Sequence, residues 1–518
     1  METRSAKRKR LQLRDEHEAD PIADVDQISD LPDAVLHRIL FLLPIKSVAQ
    51  TSVLSKRWRW LWSSFPDLDF TTVSHPIPHF SSSTIITSGG RKRVHSPVAK
   101  SMDFISNVLA LRDKHSDLRT LRFCAQLSFS RLNSLIRCAV RNNVQELDVE
   151  VATNDYFNFP RSVITCESLR IFKLKSRYPG FRLPPSPIMK SGFLSLQTLS
   201  LSLIILYDQP SLLDLFTASS FPLLKKLNLD ACFGLKHLTV GCRALEDLTL
   251  ENCFQLHDLS VCCGKLERLR VASCFDAYGG HSWVKIDAPR LRTFLWEYNA
   301  ITESSSLENL DSINEASVGF FVLQEEITAA KRWSLANFLT GLSRAQCFTL
   351  ESQCVELLSR NNHFASVLLQ PFNNLKTLEL RTELDKHNIP ALACLFRSSP
   401  TLHTLIIKII NDHKIQRRQW NRELWDLSSS GEERFWESQS QALKQFLNHL
   451  KVVTIHGFSQ CENDVILAKF LLKHAKVLQE MTLCSGHYTH RDSLRRERIK
   501  SQMMGFSKAS SNAQISFL

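Results

Sequence analysis

Apolar residues recur along this chain with two different spacings. Near the start, Leu36, Ile39, Leu40 and Leu43 fall at i, i+3, i+4 and i+7, the spacing that lines one face of a helix. Asp33 follows Pro32 where that helix would begin, and Pro44 separates it from a second helical pattern through Val48, Val53 and Leu54. The second pattern runs into Lys56, Arg57, Trp58, Arg59, Trp60, Leu61 and Trp62. Beyond Ser101 the spacing becomes Leu-x-x-Leu-x-Leu. Its cleanest copies are Leu224, Leu227, Leu229; Leu245, Leu248, Leu250; and Leu266, Leu269, Val271, each 21 residues after the last.

Looser copies occur at Leu118/Leu121, Val144/Leu147/Val149, Leu169/Phe172/Leu174, Leu196/Leu199/Leu201, Leu291/Phe294 and Leu375/Leu378/Leu380. These are leucine-rich repeats. Alternate residues of a short strand point to opposite faces, so the closing leucines enter one interior, and stacked copies share a core and pair their strands. A second series, Leu235/Leu238/Val240 and Leu256/Leu259/Val261, is offset by half a period and predicts short extended segments on the opposite wall. The stretch Leu310–Phe320 and the helical pattern Leu335, Phe338, Leu339, Leu342, ending in Cys347–Leu350, read as irregular strand-and-helix repeats that continue to about Ile410. From His449 a strand, a turn at Gly457, an apolar helix through Leu472 and a strand Met481–Leu483 read as a cap on the open sheet edge.

The predicted fold class is therefore α/β: an N-terminal three-helix module, an irregular repeat solenoid and a C-terminal α/β cap. The boundaries are a charged tail 1–26, the helical module 27–70, a Ser/His/Pro-rich linker 71–100, repeats 101–410, a polar loop 411–440, the C-terminal segment 441–485 and a basic tail 486–518. In the polar loop, Trp420, Trp425 and Trp436 lie among Arg417, Arg418 and Arg422. They clip the loop down or, on a second reading, stack on nucleic-acid bases.

Composition adds three constraints. Leu makes up 76 of 518 residues and Gly only 15, which suits stacked repeats better than glycine-rich phosphate loops. The net charge of +12 is spread over polar segments, including Lys7–Arg10, a string that fits a nuclear import signal. No secretory signal and no bilayer-length apolar run is present, so a nuclear or cytoplasmic location and reduced cysteines are expected.

Cys232, Cys253 and Cys274 recur at the 21-residue period, as do Cys242 and Cys263. They are ladder positions. A zinc site from Cys253, Cys262, Cys263 and Cys274 is disfavoured, because there is no C-x-x-C pair and thiols stacked along a solenoid do not converge. No metal or cofactor is expected. Nucleophile-elbow, metalloprotease, Walker and dinucleotide motifs are missing too, so catalysis is not expected from this chain.

The residues facing outward on the cleanest strands are Lys226, Asn228, Asp230; Asp247, Thr249, Glu251; and Arg268, Arg270, Ala272. The column Lys226, Asp247, Arg268 alternates in sign, which predicts cross-strand pairing, and these positions are also the candidate target-binding surface.

The N-terminal residues Leu31-Pro32, Leu36, Ile39, Leu40, Leu43-Pro44, Val48, Leu54-Ser55-Lys56-Arg57-Trp58 and Leu61-Trp62 resemble the F-box motif over nearly its whole length. The block Leu450-Lys451, Val453, Ile455, Gly457-Phe458, Leu471-Leu472-Lys473, Ala475, Val477-Leu478 and Met481-Thr482 resembles the FBD domain. With the repeats between them, the chain resembles plant F-box/leucine-rich-repeat/FBD proteins. The resemblance implies a substrate receptor of an SCF-type cullin-RING ubiquitin ligase. Leu31, Pro32, Ile39, Leu40, Leu43 and Pro44 would contact a Skp-type adaptor, and through it a cullin. Leu36, Val48, Leu54, Trp58 and Trp62 would hold the module together or join it to the linker, and the repeats would hold a protein target. The alternatives are a repeat scaffold outside any ligase and a nucleic-acid binder.

Overall fold

The structure, a computed structural model, describes residues 28, 30–71, 105–113, 115–177, 179–207, 209, 211–277, 281–321, 327–360, 371–410, 431–458, 462–484 and 493–518. The N-terminal module is three short helices: α1 Asp33–Phe41, α2 Ile45–Thr51 and α3 Lys56–Ser63. Pro32 and Pro44 stand at the N-caps of α1 and α2, where a ring-fixed φ costs nothing and no amide hydrogen is needed. Ser55 caps α3 by accepting from the Trp58 amide at 3.3 Å. Leu36, Leu40, Ile45, Val48 and Leu61 form the module's interior.

The chain leaves α3 as the strand Asp67–Asp69, which pairs in parallel with Thr120–Gln126, so the helical module supplies the first rung of the solenoid. Arg112 fastens that junction. Its buried guanidinium donates to the carbonyls of Phe65, Ser116 and Asp117, joining the end of the module to the start of the repeats. The Arg119 Nε donates to Asp67 Oδ1 at 2.8 Å beside it.

From that rung one parallel sheet runs the length of the molecule. Its central buried rung passes in register through Leu68, Leu121, Leu147, Phe172, Leu199, Leu227, Leu248, Leu269 and Phe294. It continues through Ala316, Phe348, Leu378, Leu405, Val453, Met481 and Ile515. The opposite wall changes with repeat length. The two repeats of 21 residues have too few for a helix, and from Leu199 to Ala316 the wall around them is a second parallel sheet. It comprises Ser211–Thr217, His237–Gly241, Asp258–Cys262, Trp283–Asp287 and Ser304–Glu308. The offset leucine series lies on its second and third strands, as the half-period spacing requires.

Repeats on either side of that stretch place helices outside the sheet, among them Phe129–Arg141, Ala329–Gly341, Ser352–Arg360, Ile389–Arg397 and Glu462–His474. Helix Ala329–Gly341 closes the end of the outer sheet. Ser305 Oγ donates to the Ser334 carbonyl at 2.6 Å, and a Cβ on Gly341 would come within 2.5 Å of Leu307 Cβ.

Three expectations need correction. The repeats do not stop near Ile410: strands Val452–His456, Glu480–Cys484 and Gln514–Phe517 extend the same sheet in register. The C-terminal segment is therefore more solenoid, with the edge passed to a strand inside the expected basic tail. Nor is 411–440 a loop throughout, because Gly431–Gln439 is a helix. Its Trp436 is buried against Phe396 and Phe470, and Glu433 and Glu437 pair with Lys469 and Lys473 at 2.7 and 2.8 Å. Trp420 and Trp425 lie outside the described residues.

Candidate binding surfaces

Two surfaces meet the requirements for docking a partner. The first is on the helical module. Only one side of each short helix can face the interior, and the interior is filled by five residues. Val35, Ile39, Leu42, Leu43, Val53, Leu54 and Trp60 are left exposed, with Leu42 and Val53 each at 82%. So many exposed apolar side chains on one small folded module are the mark of an interaction site. Of the six residues expected to touch an adaptor, Pro32, Ile39, Leu43 and Pro44 are exposed and Leu31 is half-buried. Leu40, at 0% exposure, points inward one helical step from Ile39 and is part of the interior. Leu54, expected inside, is 65% exposed because it falls in the turn after α2. Trp58 and Trp62 pack on the core as expected.

Sequence reasoning gave Arg57 no role. The structure turns it back across the module, where its Nε donates to Asp33 Oδ1 at 2.8 Å and its other arm reaches the Leu31 carbonyl. This clamp sets α3 against the start of α1, and the charge pair Asp33/Arg57 was the signal that could have found it.

The second surface is the sheet face. Lys226, Asp247 and Arg268 lie side by side, as do Asn228, Thr249 and Arg270. The predicted alternation of sign is realised as bonding only in part: Arg268 meets Asp247 at 3.0 Å, whereas Lys226 on the other side of Asp247 reaches no carboxylate among the described residues; Arg270 bridges Glu251 at 2.6 Å and Glu297 at 2.9 Å. Asp230 accepts from Ser202 at 2.8 Å and from Asn252 at 2.9 Å. Further along, Arg381 and Lys408 converge on Glu379, while Arg381 also holds Glu351. Burial, aggravated by Glu297 and Glu379 nearby and eased by Arg381, raises the Glu351 carboxyl above the usual range. Such pairs are partly exposed, so each contributes no more than about 1 kcal/mol, and their main effect is to cancel charge on this face.

The cysteines turn out to be part of a repeated backbone device. Leu203, Ala231, Asn252, Ser273 and Tyr298 occupy one repeat position in five consecutive repeats, and all five have φ between 52° and 65°. That left-handed step turns the following residue inward, and Ile204, Cys232, Cys253, Cys274 and Asn299 are all fully buried. Cys253 and Cys274 donate to the carbonyls of Leu229 and Leu250 in the preceding repeat, at 3.6 and 3.4 Å. Asn299 performs the same task with its amide, accepting from the Cys274 and Phe275 amides and donating to the Val271 carbonyl at 2.8 Å. On the outer wall, burial pushes the Cys242 and Cys263 thiols up to about 12. A thiol held neutral is a poor nucleophile and a poor metal ligand. Among the described residues no group of His, Cys, Asp and Glu is arranged to hold a metal, and no helix is long and apolar enough to cross a membrane.

Comparison with known proteins agrees with this geometry at both ends. Residues 28–69 match the F-box domain, which covers the helical module and its departing strand. Residues 132–294 match the LRR repeats of the FBD-associated F-box protein At5g56370, and residues 231–514 match the LRR domain of At1g61320/AtMIF1. The F-box/FBD/LRR-repeat protein At4g03220 of Arabidopsis thaliana is 48% identical over the full length of both chains. The chain belongs to the F-box/FBD/LRR-repeat family. A second Arabidopsis thaliana relative, the F-box/LRR-repeat protein At3g59200, is 26% identical over 74% of this chain and 69% of its own. The match to an LRR domain through residue 514 accords with the continuous sheet, in which the FBD-like segment adds strands to the repeats.

Proposed function

We propose that this protein is a substrate-recognition subunit of an SCF-type cullin-RING ubiquitin ligase. The observation that carries the reading is the apolar face of its F-box, exposed on a module whose interior is already complete. A Skp-type adaptor helix laid on Ile39, Leu42, Leu43, Val53 and Leu54 would bury what the fold leaves open. The repeats would hold a protein target on the sheet face, with Lys226, Asn228, Asp230, Asp247, Thr249, Glu251, Arg268 and Arg270 among the candidate contacts. The chain itself would perform no covalent chemistry. Its contribution is proximity: a target lysine held near the charged ubiquitin carrier reacts at a raised effective concentration. Action in the nucleus or cytoplasm belongs to the same reading.

Co-expression with several plant Skp-type adaptors tests this. The wild type should co-purify with an adaptor, and an Ile39→Ala, Leu42→Ala, Leu43→Ala variant with an unchanged melting transition should not. A folded wild type that binds no adaptor at micromolar concentration would sink the reading in favour of a free-standing repeat scaffold.

A further inference from the structure

Charge on the sheet face is almost entirely cancelled within the molecule. Arg122, Lys173, Lys175, Arg177, Arg268, Arg270, Arg381 and Lys408 each lie within 4 Å of a carboxylate, and Lys226 is the exception. The rim where the later strands begin is different. Lys376, His403 and Lys451 occupy the same position in three consecutive repeats. Each amide donates to the carbonyl of the one before: His403 to Lys376 at 3.0 Å and Lys451 to His403 at 2.8 Å. The three backbone positions therefore stand in a row at the spacing of neighbouring strands, about 4.8 Å, with the two lysine side chains exposed and the His403 ring between them half-buried. On the next repeat Gln479 takes this position, its amide donating to the Lys451 carbonyl at 2.8 Å, and Lys476 lies three residues before it.

Lys376, Lys451 and Lys476 are exposed, and none has a carboxylate within ion-pair distance among the described residues. The stacking of the repeats explains why, because it brings together turns that carry no carboxylate. The turns Asn373-Asn374-Leu375-Lys376, Pro400-Thr401-Leu402-His403, Asn448-His449-Leu450-Lys451 and Lys476-Val477-Leu478-Gln479 contain no acid. Glu480, at the start of the next strand, accepts from Thr482 at 2.8 Å. At the far end of the row Arg344 is already neutralised by Asp311 at 2.6 Å.

We infer that this ledge is a docking surface for an extended acidic segment of a partner protein. Paired charges produce little field beyond themselves, whereas a row of unpaired cations attracts an opposite charge and orients it. Lys376 and Lys451 stand two strands apart with His403 between them, so the cations are spread along the rim instead of converging on one point, which suits carboxylates distributed along an extended chain. The inference rests on the reading of the repeats as the target-binding part of the molecule and locates its electrostatic contact.

The test uses the full-length protein and a fluorescein-labelled (Gly-Glu)8 peptide, with anisotropy read at low salt and at 0.5 M salt. The wild type should bind at low salt and release the peptide at high salt. Lys376→Gln with Lys451→Gln should weaken binding at least fivefold. Lys173→Gln with Lys175→Gln removes the same number of cations from already paired positions and should change it less than twofold. Equal losses in the two variants would overturn the proposal, since the peptide would then be reading net charge. A single-stranded 16-nucleotide DNA that binds more tightly than the peptide through Lys376 and Lys451 would also overturn it. Adaptor binding, measured on the same preparations, separates failure of the ledge from failure of the ligase reading.

Discussion

The F-box and the solenoid are both built on leucine and use it in opposite directions. Along the sheet, the central rung from Leu121 to Met481 is at most 1% exposed at every position. In the F-box, Leu42, Val53 and Leu54 are more than half exposed. A repeat has a neighbour on either side to cover it, whereas a lone three-helix unit of some forty residues has more apolar side chains than interior. Leucine in the solenoid is therefore mostly about stability, whereas leucine on the outside of the F-box contributes little burial and is left open to a partner.

This contrast can be broken most directly in the core. Leu250→Ala removes a fully buried ladder residue and should cost about 3 kcal/mol in denaturant unfolding, while Leu54→Ala should cost less than about 0.5 kcal/mol. Similar losses at the two sites would mean that the F-box leucines are structural after all. The junction between the two regions comes next. Arg112→Met leaves the Phe65, Ser116 and Asp117 carbonyls without their donor and should cost about 2 kcal/mol. Hydrogen exchange should rise over residues 63–70 and 105–120 and stay unchanged in the strands beyond Phe172. A uniform rise would show that the F-box and the repeats do not part at this seam.

Inside the solenoid, Asn299→Ala should lose about 1–2 kcal/mol, since the Cys274 and Phe275 amides lose their acceptor. Asn299→Cys should recover part of that, because cysteine fills the same position in three preceding repeats; no recovery would separate the asparagine rung from the cysteine rungs. The smallest effect is expected at Glu437. Burial alone would raise its carboxyl, but hydrogen bonds from Lys473 and His474 outweigh that and hold it below the usual glutamate range. A lowered folded-state pKa stabilises above the ordinary value, and the gain disappears as pH falls through the lowered one. The melting difference between wild type and Glu437→Gln should therefore be present at pH 7 and closed by pH 3.

Much of this architecture was legible beforehand. The 21-residue period identified the sheet, and the half-period series Leu235/Leu238/Val240 identified the strand-built outer wall. The end of the solenoid was misplaced, although Leu402/Leu405/Ile407, Leu450/Val453/Ile455 and Leu478/Met481/Leu483 keep the same spacing. One long insertion, between Ile407 and Leu450, hid the period, and β-branched residues and methionine replaced some of the leucines. Leu40 was misassigned because a helical stripe shows that a face is apolar without saying which of its residues is covered.

What the sequence by itself determined is the list of rungs. Periodic apolar spacing decides which side chains must be buried together, because a strand alternates faces and a helix repeats its own. Only the tertiary structure decided which charges cancel and which remain open. Lys225 and Lys376 hold the same repeat position, each just after a buried leucine and two residues before the next, yet one meets Glu246 at 3.4 Å and the other meets no carboxylate among the described residues. Partners on a parallel sheet lie a whole repeat apart in the chain, and that separation varies from 21 residues to more than 40. The pairing of charges is therefore set by how the repeats stack, and it cannot be read from the residues flanking each charge.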